Sequence, residues 1–493
     1  MVDFTAVDVV VVGGGIAGLV AADVCALAGL SVVIIEQRAS VGGLVASAEL
    51  GGLRLDIGAE AFATREGSVS NLAIELGLAD SLVRPDPAGA WIRMPHKTVR
   101  IPRLGVLGVP GNPLARDVRA AIGLSGSLRA SLDSLMPRGW GSRSATLGDL
   151  VRLRMGTKVL DRLVAPICLG IHSTHPDELD IDSVAPSLRE GMRRTGSLAG
   201  AVRQRATTQR AGGAVMGIEG GLFKLTDALQ ARIAASGGDV LTSSRVTSLA
   251  PAGRTRASFW QVGYTNSEGV ARAVRARGVI IAVPVREAQN LLREMLVEPQ
   301  ITSAGRTLLD AQTEDVTVVT LVVESTGLDA HPRGSGIIVA PGSPGVRAKA
   351  LTHSTSKWPW LAAEAGAGHH AIRLSFAGSQ LPTGAAGNAK ATAQADAELV
   401  QRALTDASVL LGVELAHGDL RGSKVTRWTD AVTPPSPAHR DLVGKWTKAV
   451  ARLDRIALAG SWIAGTGLAS VIPHSQAAAD QLIAGLETAN PRS

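Results

Sequence analysis

The sequence predicts an α/β fold: a parallel-sheet domain assembled from three separated stretches, a second domain on a mixed sheet, and a helical insertion. Three observations predict it. The N-terminus reads as strand, glycine turn, helix and strand; a second strand, glycine turn and helix closes the chain; and between them strand-like runs follow an Arg-studded helical region. At 493 residues the chain has room for two or three compact units of roughly 150 residues each. Its 45% hydrophobic and 19% charged content suits packed cores and excludes a largely disordered chain. The 56 glycines show no three-residue period and come with only 23 prolines, which excludes collagen-like and Pro-rich architectures and leaves glycine to serve turns and close backbone approaches.

Val7 to Val12 is a β-branched strand, Gly13-Gly14-Gly15 a turn, Ile16 to Ala28 a helix stopped by Gly29, and Ser31 to Ile35 a second buried strand. This is one βαβ unit, of Rossmann type. Gly13, Gly15 and Gly18 stand in the GxGxxG spacing that permits a tight turn, backbone approach to a pyrophosphate, and close helix–strand packing. Gly14, Ile16 and Ala17 share that turn and the helix N-terminus, whose free N–H groups favour phosphate. Glu36, with Gln37 beside it, ends the second strand where a carboxylate accepts from the ribose hydroxyls of a dinucleotide.

FAD and NAD both fit that unit, and the next segments choose between them. Arg38 to Leu44 carries Gly42-Gly43, and Leu55 to Phe62 carries Gly58, Ala59, Glu60 and Ala61, small residues that would let the backbone run along an extended cofactor. This spacing resembles the glutathione-reductase-like FAD proteins of the amine oxidase and protoporphyrinogen oxidase group. The resemblance implies noncovalent FAD, with Gly43, Leu44 and Gly58 to Ala61 among its contacts. Downstream, a helix from Gly220-Gly221-Leu222 to Ala234, the strand Asp239 to Leu241, the stretch Arg245 to Leu249 and the buried strand Gly278 to Pro284 supply further pieces. By resemblance, the Val246 backbone meets the adenine edge. At the C-terminus, Ile456 to Leu458 leads through Gly460 to Leu468 into a helix expected over His474 to Leu486, with Ser470 as N-cap and Pro473 in the first turn. Thr466, Gly467 and Leu468 would then lie beside the isoalloxazine.

The parts divide as 1–60, 216–285 and 446–493 for the FAD-binding domain, 61–104 and 286–445 for the mixed-sheet substrate domain, and 105–215 for the helical insertion. Val316 to Glu324, Gly336 to Ala340, Ala348 to His353 and Ala371 to Phe376 are the expected strands of the mixed sheet.

A narrower resemblance rests on Gly58 to Arg65, Leu163 to Ser173, Ser356-Lys357-Trp358-Pro359 and Arg427-Trp428. Together these look like the bacterial HemY-type coproporphyrinogen III or protoporphyrinogen oxidases. That implies Trp428 near the flavin, Arg65 on a substrate propionate, and Gly170, Ile171 and His172 along the macrocycle, with the Gly170 carbonyl facing a pyrrole N–H. His172 stands where the family has Tyr or Phe, and Ala469-Ser470 where it often has Pro-Asp. These departures bear on the substrate side more than on FAD. The implied reaction takes coproporphyrinogen III to coproporphyrin III in heme biosynthesis, removing six electrons in three hydride transfers to flavin, with oxygen as acceptor, hydrogen peroxide as by-product and handover to a ferrochelatase. No side chain is assigned as catalytic acid or base. Protoporphyrinogen IX, an amine or a carotenoid as substrate, and a non-catalytic flavoprotein, remain as alternatives.

Two cysteines, Cys25 and Cys168, exclude a disulfide framework and a CxxC metal motif, so no metal site is expected and a reducing cytoplasm fits. The charge of +7 is spread without long runs, and aromatic residues make up only 3%, which excludes a base-stacking nucleic-acid platform. The apolar stretch Val9 to Ile35 is interrupted by glycines and preceded by Asp3 and Asp8, unlike a signal peptide or membrane span. The basic faces of the helical region, such as Arg116 to Leu135, would be solvated or would touch lipid headgroups at a membrane surface.

Overall fold

β-branched residues on both faces of the first strand, Ala6–Val12, place it at the centre of a sheet: Val9 and Val11 point to one side, Val10 and Val12 to the other, and all four are buried. The structure is a computed structural model describing residues 6–208, 215–252, 259–293, 295–296, 313–378 and 389–488. Residues 1–5 and 489–493, the ends of the expected FAD-binding segments, lie outside the described residues.

Ala6–Val12 pairs in parallel with Val32–Ile35 on one side and Ala271–Ile281 on the other, which registers Val12 with both Ile35 and Ile281. Asp239–Leu241 and Ile456–Leu458 add further parallel strands. Phe259–Thr265 and Arg245–Ala252 extend the sheet antiparallel, making seven strands in all. Helices Ile16–Leu27, Lys224–Ala235 and Leu468–Thr488 cover one face; Val285–Leu292 and Pro437–Val450 cover the other, where Trp446 meets Trp462 edge to face at 6.4 Å. The parallel strands all end at one edge, so their glycine turns open there together.

The second sheet is mixed, with order Leu420–Val432, Glu314–Glu324, His369–Ala377, Ala350–His353, Gly336–Val339, Ala90–Arg93 and Thr98–Arg100. Among its described strands only Gly336–Val339 and Ala90–Arg93 pair in parallel. Helix Ala389–Leu411 packs on its outer face. The helical region contains Arg116–Ser131, broken at Gly123 (φ 75°), then Leu147–Met155, Ala165–His172, Ser187–Thr195 and Leu198–Thr208, around a core that Ile92 and Val99 of the mixed sheet also join.

Several expectations need correction. The C-terminal helix begins at Leu468, not His474, so Ser470 lies inside it and Pro473 falls beyond the first turn. A proline there removes the donor that would bond the Ala469 carbonyl, and the Ser68 hydroxyl donates to that carbonyl instead at 3.1 Å. The helix expected from Gly220 starts at Lys224, because the Asp56 carboxylate accepts from the Leu222 and Phe223 N–H groups at 2.9 and 3.1 Å and holds the preceding turn. The strand Leu420–Val432, the longest among the described residues, is not among the strands the sequence predicts, although its Arg427-Trp428 pair carries part of the resemblance. It lies at the sheet edge with Trp428 alone fully buried, and so lacks an apolar alternation. Two boundaries also cut through packed units. Helix Pro437–Val450 crosses the 445/446 division and packs on the first sheet, while Phe62, Val69, Leu72 and Ala73 join the first sheet's core. Contact with an apolar face, rather than position along the chain, sets where these segments belong.

Candidate active site

Where the parallel strands end, a cleft of about 350 Å³ opens between the first sheet and the Trp428 edge of the second. Gly13, Gly15, Ile16 and Ala17 line it from the first turn, Glu36 and Gln37 from the second strand, Gly43, Leu44, Ala59 and Ala61 from the following segments. Val246, Trp428, Gly467 and Leu468 complete the expected set that reaches it. Gly14, Gly18, Gly58, Glu60 and Thr466 do not line it.

The reasons differ from residue to residue. Gly13 has φ 102°, and a Cβ there would stand 2.7 Å from the Ala282 carbonyl; at Gly18 it would stand 1.9 Å from the Gly13 carbonyl. Gly18 therefore serves helix–strand packing. Gly15 is different: a Cβ on it would meet nothing nearer than the Gly43 Cα at 3.9 Å, so the protein itself leaves this room free. The Gly14 N–H donates to Glu36 Oε2 at 2.7 Å and the Arg38 N–H to Glu36 Oε1 at 2.8 Å, which fixes the buried carboxylate at the cleft wall. Gly15 caps helix Ile16–Leu27, and Leu468 opens the C-terminal helix, so two helix N-termini meet the cleft with positive partial charge. The open room at Gly15, a wall carboxylate and helix N-termini together fit an extended dinucleotide.

Glu60 has another task. Its carboxylate takes Lys357 at 2.5 Å, Arg373 at 2.9 Å and the Ser354 hydroxyl at 3.0 Å, all from the second sheet and its connections. Burial alone would raise this carboxyl, but Lys357 and Arg373 outweigh it and hold it at about 2. Arg373 also donates to the Gly58 carbonyl. The side chain of Glu60 is thus a pin between the two sheets rather than a wall of the cleft.

Sequence reasoning missed several wall residues. Arg38 stacks over the buried Trp428 ring at 4.7 Å, a cation–π contact that brings the two sheets together across the cleft. Its position two residues after Glu36 was the available signal. Val283, Pro284 and Trp462 also line the cleft, and the Trp462 indole donates to the Val283 carbonyl at 3.1 Å. Gly278 to Pro284 reads from the sequence as a strand and Gly460 to Leu468 as a turn, which gives no signal for these side chains as contacts. His439 Nε2 lies 2.7 Å from the Trp462 carbonyl and ties helix Pro437–Val450 to the same turn.

The four expected substrate residues sit beside this cleft, not on its wall. Helix Ala165–His172 ends at Ser173 (φ 53°), and its Gly170 packs so closely on the second sheet that a Cβ would stand 3.2 Å from Ile338. Ile171 is 57% exposed. His172 is buried, with Nδ1 3.5 Å from Thr466 Oγ1 in the C-terminal turn. Burial, and then the Arg65 guanidinium, push its imidazole down to about 4, so it is neutral at neutral pH. Arg65 itself is half-buried and has no carboxylate at ion-pair distance among the described residues. Burial and the same Arg65 also lower Arg205, a second guanidinium here that the sequence reading did not single out. Cys25 and Cys168 are free and buried away from the cleft. Among the described residues no cluster of His, Cys, Asp or Glu has the arrangement of a metal site, and no helix is long and apolar enough to cross a membrane.

Residues 16–483 match the family described as flavin containing amine oxidoreductase. The chain is 29% identical to the coproporphyrinogen III oxidase of Mycobacterium tuberculosis over 97% of each protein. It is 26% identical to the chloroplastic protoporphyrinogen oxidase of Oryza sativa, covering 96% of this chain and 88% of that one. A crystal structure of a protein from Exiguobacterium sp. 255-15 superposes with a TM-score of 0.78 at 21% identity, covering 99% of this chain and all of the other.

Proposed function

The chain belongs to the flavin containing amine oxidoreductase family, and from that premise we propose that it is an FAD-dependent, oxygen-using oxidase of coproporphyrinogen III. The observation that carries this reading is the match to proteins named coproporphyrinogen III oxidase over 97% of both chains. The cleft supports it with the free space at Gly15 for a pyrophosphate, Glu36 for a ribose, and the Leu468 helix N-terminus for the electron-rich end of a flavin. Neither cysteine lines the cleft, which supports noncovalent binding.

When bound, the flavin supplies the two-electron acceptor for each of the three oxidation steps of the macrocycle. The chain's own residues position and exclude. Trp428 and Arg38 close one wall, and neutral His172 walls the substrate side without offering a proton. Arg65, free of any ion pair among the described residues, suits a propionate, and the Gly170 carbonyl suits a pyrrole N–H. The two buried free thiols support a cytoplasmic setting. A protoporphyrinogen substrate is the second reading, favoured by the similarity to the rice enzyme.

Anaerobic mixing of the yellow protein with each porphyrinogen tests both. Rapid flavin bleaching by coproporphyrinogen III, followed by porphyrin fluorescence once oxygen is admitted, is the expected result. Bleaching by protoporphyrinogen IX alone establishes the second reading, and silence with both removes the porphyrinogen class.

A further inference from the structure

Lys349 stands between the strands Gly336–Val339 and Ala350–His353. Its N–H donates to the Ser375 carbonyl and its carbonyl accepts from Val339, at 2.7 and 2.8 Å, so its position is rigid. Its ammonium is partly buried and, among the described residues, donates to one group, the Ser173 hydroxyl, at 2.8 Å. Among the described residues it has no carboxylate at ion-pair distance, and Glu314 acts on it only from farther away. Burial accordingly lowers its proton affinity.

Ser173 gives this ammonium its meaning. It terminates the helix whose last turn carries Gly170, Ile171 and His172, and His172 in turn reaches Thr466 of the cofactor-side turn. Gly170 lies against Ile338, on the strand that precedes Lys349. The ammonium therefore sits at the helix end that carries His172, and His172 also feels the charge of Arg65. A cation serving only the helix terminus would donate to its last carbonyls; Lys349 donates to a side-chain hydroxyl instead. An ammonium has three donors, and removing it from water without an anion is costly, so a carboxylate arriving there is strongly favoured.

We propose that Lys349 is a second carboxylate receptor beside Arg65, and that it separates a tetracarboxylate tetrapyrrole from a dicarboxylate one. This rests on the porphyrinogen reading above. Coproporphyrinogen carries propionates where protoporphyrinogen carries vinyl groups, and a vinyl group facing the ammonium leaves it unpaired. No covalent step is involved.

The test uses flavin-loaded protein with Lys349→Met and Lys349→Arg, steady-state kinetics on both porphyrinogens, and equilibrium binding of oxidised coproporphyrin III followed by porphyrin fluorescence. Loss of one charge-assisted contact should raise the coproporphyrinogen KM and the coproporphyrin Kd of Lys349→Met about tenfold or more. The rise should exceed that for protoporphyrinogen, and Lys349→Arg should recover most of it. Unchanged coproporphyrin binding in Lys349→Met would overturn the proposal, as would equal losses on both substrates accompanied by lost flavin, the mark of a merely structural role. If the wild type oxidises neither porphyrinogen yet binds coproporphyrin in a Lys349-dependent way, the catalytic reading fails and the receptor stands. Absence of any wild-type binding overturns both.

Discussion

Gly15 and Gly18 sit three residues apart in one motif and do opposite work. A side chain at Gly18 would collide with the Gly13 carbonyl, whereas at Gly15 it would enter free space beside Gly43. Gly15→Val should therefore fold, with a cooperative melt close to that of flavin-free wild type, and purify colourless. Normal flavin occupancy in that variant would remove the pyrophosphate from this turn. Glu36 and its neighbours were readable because strand, turn and helix are local, and residue spacing alone positions them. Arg38 and Lys349 were not, because their chemistry depends on partners, Trp428 and Ser173, brought from distant parts of the chain.

The helical region shows how elements are joined. Arg154 and Asp133 form an ion pair at 2.6 Å with side chains 0% and 1% exposed. Arg154 also donates to the carbonyls of Asp133, Pro137 and Gly196, while Asp133 accepts from the Leu198 and Ala199 N–H groups at the start of helix Leu198–Thr208. One pair thus connects Leu147–Met155, the Leu132–Leu135 turn and the helix that carries Arg205. Removing the cation leaves Asp133 buried beside helix donors, so Arg154→Met should destabilise by about 3–5 kcal/mol in chemical denaturation. A change below about 1 kcal/mol would show that the remaining hydrogen bonds are enough. The edge strand Leu420–Val432 illustrates the converse: with little apolar alternation of its own, it becomes a strand through its pairing with Glu314–Glu324.

Across the whole molecule, the two sheets are held in register by the Glu60 pin and by Arg38 on Trp428. The pin makes a pH prediction. Lys357 and Arg373 keep the folded Glu60 carboxyl at about 2, below its ordinary 4.5. A lowered folded value means that the unfolded chain takes up the proton first, so this stabilisation is complete above about 4.5 and is lost as pH falls toward about 2. Glu60→Gln should lack that acid-side loss and be less stable at neutral pH by roughly 3 kcal/mol, since two partly buried cations lose their anion. Denaturation curves of the two proteins compared from neutral pH into this window check it: parallel pH dependence would mean that the pin contributes nothing. Because Gly58 and Ala61 flank the pin, its loss should also loosen the cleft.

The chain's own order of residues was enough to announce the βαβ unit, the GxGxxG turn, the carboxylate at Glu36 and most strands of the mixed sheet, because each follows from spacing within a few turns or strand repeats. It did not disclose that Glu60 faces Lys357 and Arg373, that the C-terminal helix starts at Leu468 with Pro473 tolerated by Ser68, or that Lys349 ends beneath Ser173. Those features arise from contacts between segments far apart in the chain, and local periodicity carries no information about which distant charge or hydroxyl a folded side chain will meet.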